Sequence, residues 1–182
     1  MKRMIIVFLL FLAYTAMARA QEPAPSLLLY ISSDEYNHEV RLGVLPYYIV
    51  WARKGPALEQ AARSALQPHF SDIDMCEGSN GADVVVWLQP RLSFNPPIAT
   101  YYAQVIARFF RADGKPIGTL KATGEQTGAI GSRLTESQVQ GAFDKAMQEI
   151  ARQFVADTTL QQAIDPAMAR SPCAMVALVP NP

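Results

Sequence analysis

The chain has 182 residues, half of them hydrophobic, with 16 basic and 16 acidic side chains, two histidines and two cysteines. That length supports one domain with a real core. Charges of both signs are interspersed without a basic stripe, which argues against nucleic acid as a partner.

Lys2 and Arg3 make a short basic start, Met4 to Met17 is an uncharged apolar run, and Ala18-Arg19-Ala20 puts small residues at the two positions a signal peptidase reads. The pattern predicts a secretory signal over residues 1–20, cleaved after Ala20, and the run is short for a membrane span. No later run approaches a span. Lys2, Arg3 and Arg19 leave with the signal, so the exported chain keeps 13 bases against 16 acids, a net charge near −3. No cysteine stands at the cleavage site, so outer-membrane contact through an amino-terminal lipid is not expected.

Two cysteines, Cys76 and Cys173, remain after export. In an oxidising compartment an even count reads first as one disulfide, the alternative being two free or intermolecular thiols. A loop of that size is worth roughly 4–5 kcal/mol in the chain-entropy model, as an upper figure. Neither cysteine sits in a C-x-x-C pair, which argues against thiol–disulfide exchange.

Residues 21–38 read as a flexible Pro-containing leader, a short strand at Leu27 to Ile31 and a loop from Ser32 to His38; residues 39–182 read as a single α/β domain. Val40 to Leu45 alternates as a half-buried strand ended by Pro46, and Gly55-Pro56 opens a helix with Leu58, Ala61, Ala62, Ala65 and Leu66 on one stripe. Pro68 stops that helix, and Asp72 to Met75 suggests a short strand leading to Cys76. Ala82 to Gln89 reads as a central strand that Pro90 should end or bend. Thr100 to Arg111 is the next strand, with Tyr101, Ala103, Val105, Ala107 and Phe109 facing the helices. A hairpin turn at Asp113-Gly114 returns the chain along Ile117 to Glu125.

Thr135-Glu136-Ser137-Gln138 is a capping box. Beyond it, Val139, Ala142, Phe143, Ala146, Met147, Ile150, Ala151 and Phe154 keep an unbroken helical stripe. Thr158 to Met168 extends the helix irregularly, and Cys173 to Val179 could add an edge strand. The resulting expectation is an α+β two-layer sandwich: a mostly antiparallel sheet of four to six strands with two helices packed on one face.

Catalytic patterns are weak. His69 lies near Asp72, Asp74 and Cys76, from which a hydrolase site could be sketched, but the spacing matches no metal-ligand pattern and the other histidine, His38, is distant. Gly124, Gly128, Gly131 and Ser132 precede a helix without a P-loop lysine, and the serines lack a G-x-S-x-G setting. No cofactor or metal is expected. Two apolar stretches stand out instead. Tyr47, Tyr48 and Trp51 follow Pro46, where a polar loop would be ordinary, although the alternation also allows a longer strand. Phe94, Pro96, Pro97 and Ile98 make an apolar hairpin tip. Exposed aromatic and proline clusters mark interfaces more often than catalysis, the alternative being that both fold over the ends of the core.

The export signal, the strand–helix unit, the strands around Ala82 to Val86 and Ala103 to Phe109, the D-G-K-P hairpin and the amphipathic closing helix resemble small bacterial envelope proteins. The ABC-type transport auxiliary lipoproteins and the amino-terminal domain of TolB are the nearest comparisons, over roughly residues 40 to 157. The resemblance implies a periplasmic accessory role, binding a partner protein or an envelope lipid rather than turning over a substrate. Partner binding is therefore expected through Tyr47, Tyr48, Trp51, Phe94, Pro96, Pro97 and Ile98, with peripheral membrane contact open. The alternatives are a small-ligand or lipid carrier between sheet and helix, and a secreted hydrolase using His69, Asp72 and Asp74. Serine at Phe94 and Ile98 is expected to leave folding nearly intact while weakening the partner contact.

Overall fold

A computed structural model describes residues 24–45, 48–77, 80–128, 136–164 and Cys173. The signal segment and Tyr47 lie outside the described residues. So does the tail beyond Cys173, where an edge strand was expected; Cys173 itself is helical.

The elements follow in order as β1 (Leu27–Tyr30), α1 (Ser33–Asn37), β2 (Glu39–Leu45), β3 (Tyr48–Arg53), α2 (Lys54–Leu66), β4 (Ile73–Met75), β5 (Val84–Asn95), β6 (Thr100–Arg111), β7 (Pro116–Thr127), α3 (Glu136–Ala156) and α4 (Thr158–Gln162). Five strands form one sheet in the order β4-β1-β5-β6-β7, and β2 with β3 makes a separate ribbon. The α+β class holds, but the sheet is mixed. β1 pairs in parallel with both β4 and β5, while β5–β6 and β6–β7 are antiparallel. The parallel half follows from connectivity: the chain leaves β1, runs through the ribbon and α2, and returns beside β1 at β4, the route parallel strands need.

Two sequence expectations change here. Ser32 to His38 contains a helix, α1, whose Glu35 amide donates to the Ser32 hydroxyl at 3.4 Å. Pro90 does not end β5, which stays paired to β6 as far as Asn95. β1 pairs with β5 only as far as Trp87, so beyond it β5 is an edge on that side. Val84 N donates toward β1 at Ser26 O, and by alternation Pro90 nitrogen points to that same unpaired side, where a missing N–H breaks no ladder bond.

α2 and α3 pack on each other, and α3 lies along β6 and β7. All eight stripe residues of α3 are buried, as are Leu58, Ala61, Ala62 and Leu66 of α2. They meet Val86, Leu88, Tyr101, Ala103, Val105, Ala107 and Phe109 in the main core. Each buried Leu or Phe contributes about 1.5–3 kcal/mol. The contact with β7 is close because Gly124 has no side chain: a Cβ there would overlap the backbone of Ala142 and Ala146. The opposite face carries a smaller cluster of Leu28, Ala82, Val85, Trp87, Phe110 and Cys173, with Tyr30 and Cys76 at its margin. The helices therefore roof one face, and a second small core lies behind the other. A disulfide joins Cys76 to Cys173, 97 positions apart, with Cα atoms 5.6 Å from each other.

Candidate contact surface

The β5–β6 hairpin projects a compact tip. Phe94, half-buried, packs on the fully buried Tyr101 with ring centroids 4.6 Å apart. Pro96 to Ile98 form one 3-10 turn, closed by the Ala99 amide donating to Pro96 O at 3.1 Å. Ala99 then takes a left-handed conformation at φ 47°, which costs a residue with a Cβ of order 1 kcal/mol. The surroundings hold it there: the Gly128 amide donates to Ala99 O at 2.7 Å, and the Thr100 hydroxyl donates to Ile98 O at 3.0 Å. Pro96, Pro97 and Ile98 are exposed, Ile98 by 52%. Phe94 belongs mostly to the packed layer, so Phe94→Ser would cost stability, and Ile98 is the cleaner probe of contact.

The ribbon carries the second apolar site. Tyr48 to Arg53 is a strand, not a loop, in register with β2: Arg41 opposes Trp51 and Val40 opposes Ala52. Leu42 and Ala52 join the main core, Val40 packs against it, and Trp51 points outward with 58% exposure.

The hydrolase residues do not gather. His69 is half-buried, with its ring 6.1 Å from that of Phe154. Asp72 is exposed and its carbonyl accepts from the Leu27 amide. Asp74 faces Arg63 at 4.0 Å and lines a cavity of about 640 Å³ at the carboxyl ends of β1 and β4, a cavity lined by neither His69 nor Asp72. Inside that cavity three of the polar side chains occupy one another. Tyr36 Oη donates to Glu59 Oε2 at 2.9 Å, and Arg63 Nε donates to Glu59 Oε1 at 3.0 Å. The hydrogen bond to Glu59 raises the Tyr36 pKa, so this phenol is no ready base. Among the described residues no cluster of three or more His, Cys, Asp or Glu is arranged to hold a metal.

Several polar features were not read from the sequence. Lys54 is buried and paired with Glu35, which ties α1 to the start of α2. Asp113 sits beside the Arg111 guanidinium, which holds its carboxyl far below the usual range. Glu149 is lowered to about 2, chiefly by the Arg152 hydrogen bond. Tyr101 Oη is buried without a partner, and burial raises its pKa. Helix side chains reach outward carbonyls on β4 and on β7. Arg63 donates to Ile73 O on β4, while Lys145 and Gln153 donate to Glu125 O and Lys121 O on β7, at 2.8 and 3.3 Å. Such contacts make an edge a poorer template for an added strand; among the described residues the exposed large hydrophobics are Ile98 at the hairpin tip, Trp51 on the ribbon and Val155 on α3.

The architecture is similar to that of a solved bacterial protein. That protein is XCC0632 from Xanthomonas campestris, of family DUF330, with a TM-score of 0.50 and 14% identity over 79% of this chain and 91% of that one. A Caulobacter crescentus protein, provisionally named a lipoprotein, aligns at a TM-score of 0.43 and 14% identity over 75% of this chain and 90% of its own. No family model and no curated protein matches the sequence. The likeness to XCC0632 is one of fold. Among the described residues no helix is long and apolar enough to cross a membrane.

Proposed function

We propose that this chain is an exported, non-catalytic accessory protein of the bacterial envelope, periplasmic or secreted, that acts by touching a partner protein or envelope component. The signal pattern of residues 1–20 and the Cys76–Cys173 bridge support export. One observation carries the mode of action: the β5–β6 hairpin presents Pro96, Pro97 and Ile98 to solvent, while Tyr36, Glu59 and Arg63 in the cavity pair with one another. A carrier function between sheet and helix has the unpartnered Tyr101 hydroxyl in its favour, but Phe143, Met147 and Phe154 already fill that layer.

A photo-crosslinking residue placed at 98 or 51 in cells tests the reading. Both positions should give envelope adducts, and a control at the exposed Arg152 should not. Equal labelling at all three would sink it.

A further inference from the structure

Resting on that contact reading, we infer that the β5–β6 tip enters the interface of a lipid bilayer. From Leu92 to Ala107, 16 consecutive residues carry no Asp, Glu, Lys, Arg or His. The ladder rows nearest the turn are Asn95–Thr100–Thr127 and Phe94–Tyr101–Gln126, both uncharged; the first charge, Glu125, enters in the third row beside Ser93 and Tyr102. Along these three strands, two rows plus the turn give about 10 Å without a charged residue among the described ones, the depth to which interfacial elements sink. Tyr102 stands at the level where aromatic side chains favour the headgroups.

The turn is also built to lose water cheaply. Pro96 and Pro97 have no N–H, the Ala99 amide bonds Pro96 O, and Ile98 O and Ala99 O accept from Thr100 and Gly128. An ordinary loop entering an apolar phase leaves backbone groups unpaired at several kcal/mol each; this one has already paired most of them. Size decides against a protein pocket. A stable protein interface takes roughly 800 Å² from each partner, more than three exposed side chains and a half-buried ring supply. A bilayer closes around a protrusion from all sides. One such tip gives weak, reversible association, and with a net negative exported chain that association should not depend on electrostatic attraction.

The test uses the exported chain, residues 21–182, with Ile98→Trp in a Trp51→Phe background, mixed with vesicles of phosphatidylethanolamine and phosphatidylglycerol, with and without brominated acyl chains. Tip emission should shift to the blue and be lost to the brominated lipid, unchanged by added salt, whereas the Trp51→Phe parent, reporting buried Trp87, should show neither. Pro97→Trp serves as a second probe and should behave alike, with circular dichroism showing the parent fold for both. Absence of blue shift and quenching at both positions overturns the bilayer assignment. If crosslinks from position 98 then capture an envelope protein, the contact reading stands without it; if they capture nothing, both fall.

Discussion

The two faces of the main sheet are closed by different means. On the helix side, Tyr101, Val105 and Phe109 meet Phe143, Met147 and Phe154 in a large continuous core, and the stacked rings of Phe109 and Phe154 lie 5.6 Å apart. Nothing covalent holds that layer. On the far side, Leu28, Val85, Trp87 and Phe110 form a smaller cluster among the described residues, and there Cys173 is tied to Cys76. Trp87 finishes that face with Tyr30 at 6.1 Å and the Arg108 guanidinium 5.2 Å over its ring. The contrast teaches that apolar area substitutes for a crosslink only where there is enough of it, because the conformational entropy of each ordered residue must be offset by its own contacts.

The largest expected effect is on the helix face. Phe154→Ala removes the ring that joins Phe70, Phe109 and His69, and should cost about 3–5 kcal/mol in denaturant unfolding. Replacing both cysteines with serine should cost about 2–5 kcal/mol, and the fluorescence of Trp87 should move to the red well below the global midpoint, as the far face opens first. A Trp87 signal that moved only with global unfolding would break the contrast between the faces. Gly124→Ala forces α3 away from β7 and should cost about 1–3 kcal/mol, whereas alanine at the solvent-exposed Gln148 should cost nearly nothing. The smallest effect is electrostatic. Glu149 has its carboxyl depressed to about 2 from an ordinary 4.5, so the stability it adds is complete above pH 4.5 and fades as pH falls toward 2. Glu149→Gln should flatten the acid limb of stability in that window, by a small amount because the pair is solvent-exposed and salt screens it.

Much of this fold was legible because one side chain in each local period was enough to reveal it. The α3 stripe from Val139 to Phe154 is buried residue for residue, and the uncharged row of β6 faces the helices as its alternation predicts. α1 was missed although Ser32 and Glu35 stand at capping-box spacing, because the helix, Ser33–Asn37, is polar and only five residues long. Pro90 misled because the ban on proline applies to paired strands, and whether a strand is paired on a given side is not a local property. At the candidate surface, the apolar tip was visible from Phe94 to Ile98. That Phe94 turns inward onto Tyr101 while Ile98 turns outward follows from the strand pleat and the turn, not from their shared hydrophobicity.

Taken alone, the order of residues settled the longest elements, their apolar faces and the candidate cysteine pair, since periodicity and turn chemistry act within a few residues of one another. The folded arrangement decided what depends on meetings between distant segments: β1 lying parallel between β4 and β5, β2 and β3 forming their own ribbon, and long side chains from the helices reaching outward carbonyls on β4 and β7. Those outcomes depend on which surfaces come within reach after the chain has looped back, and no local pattern encodes that distance.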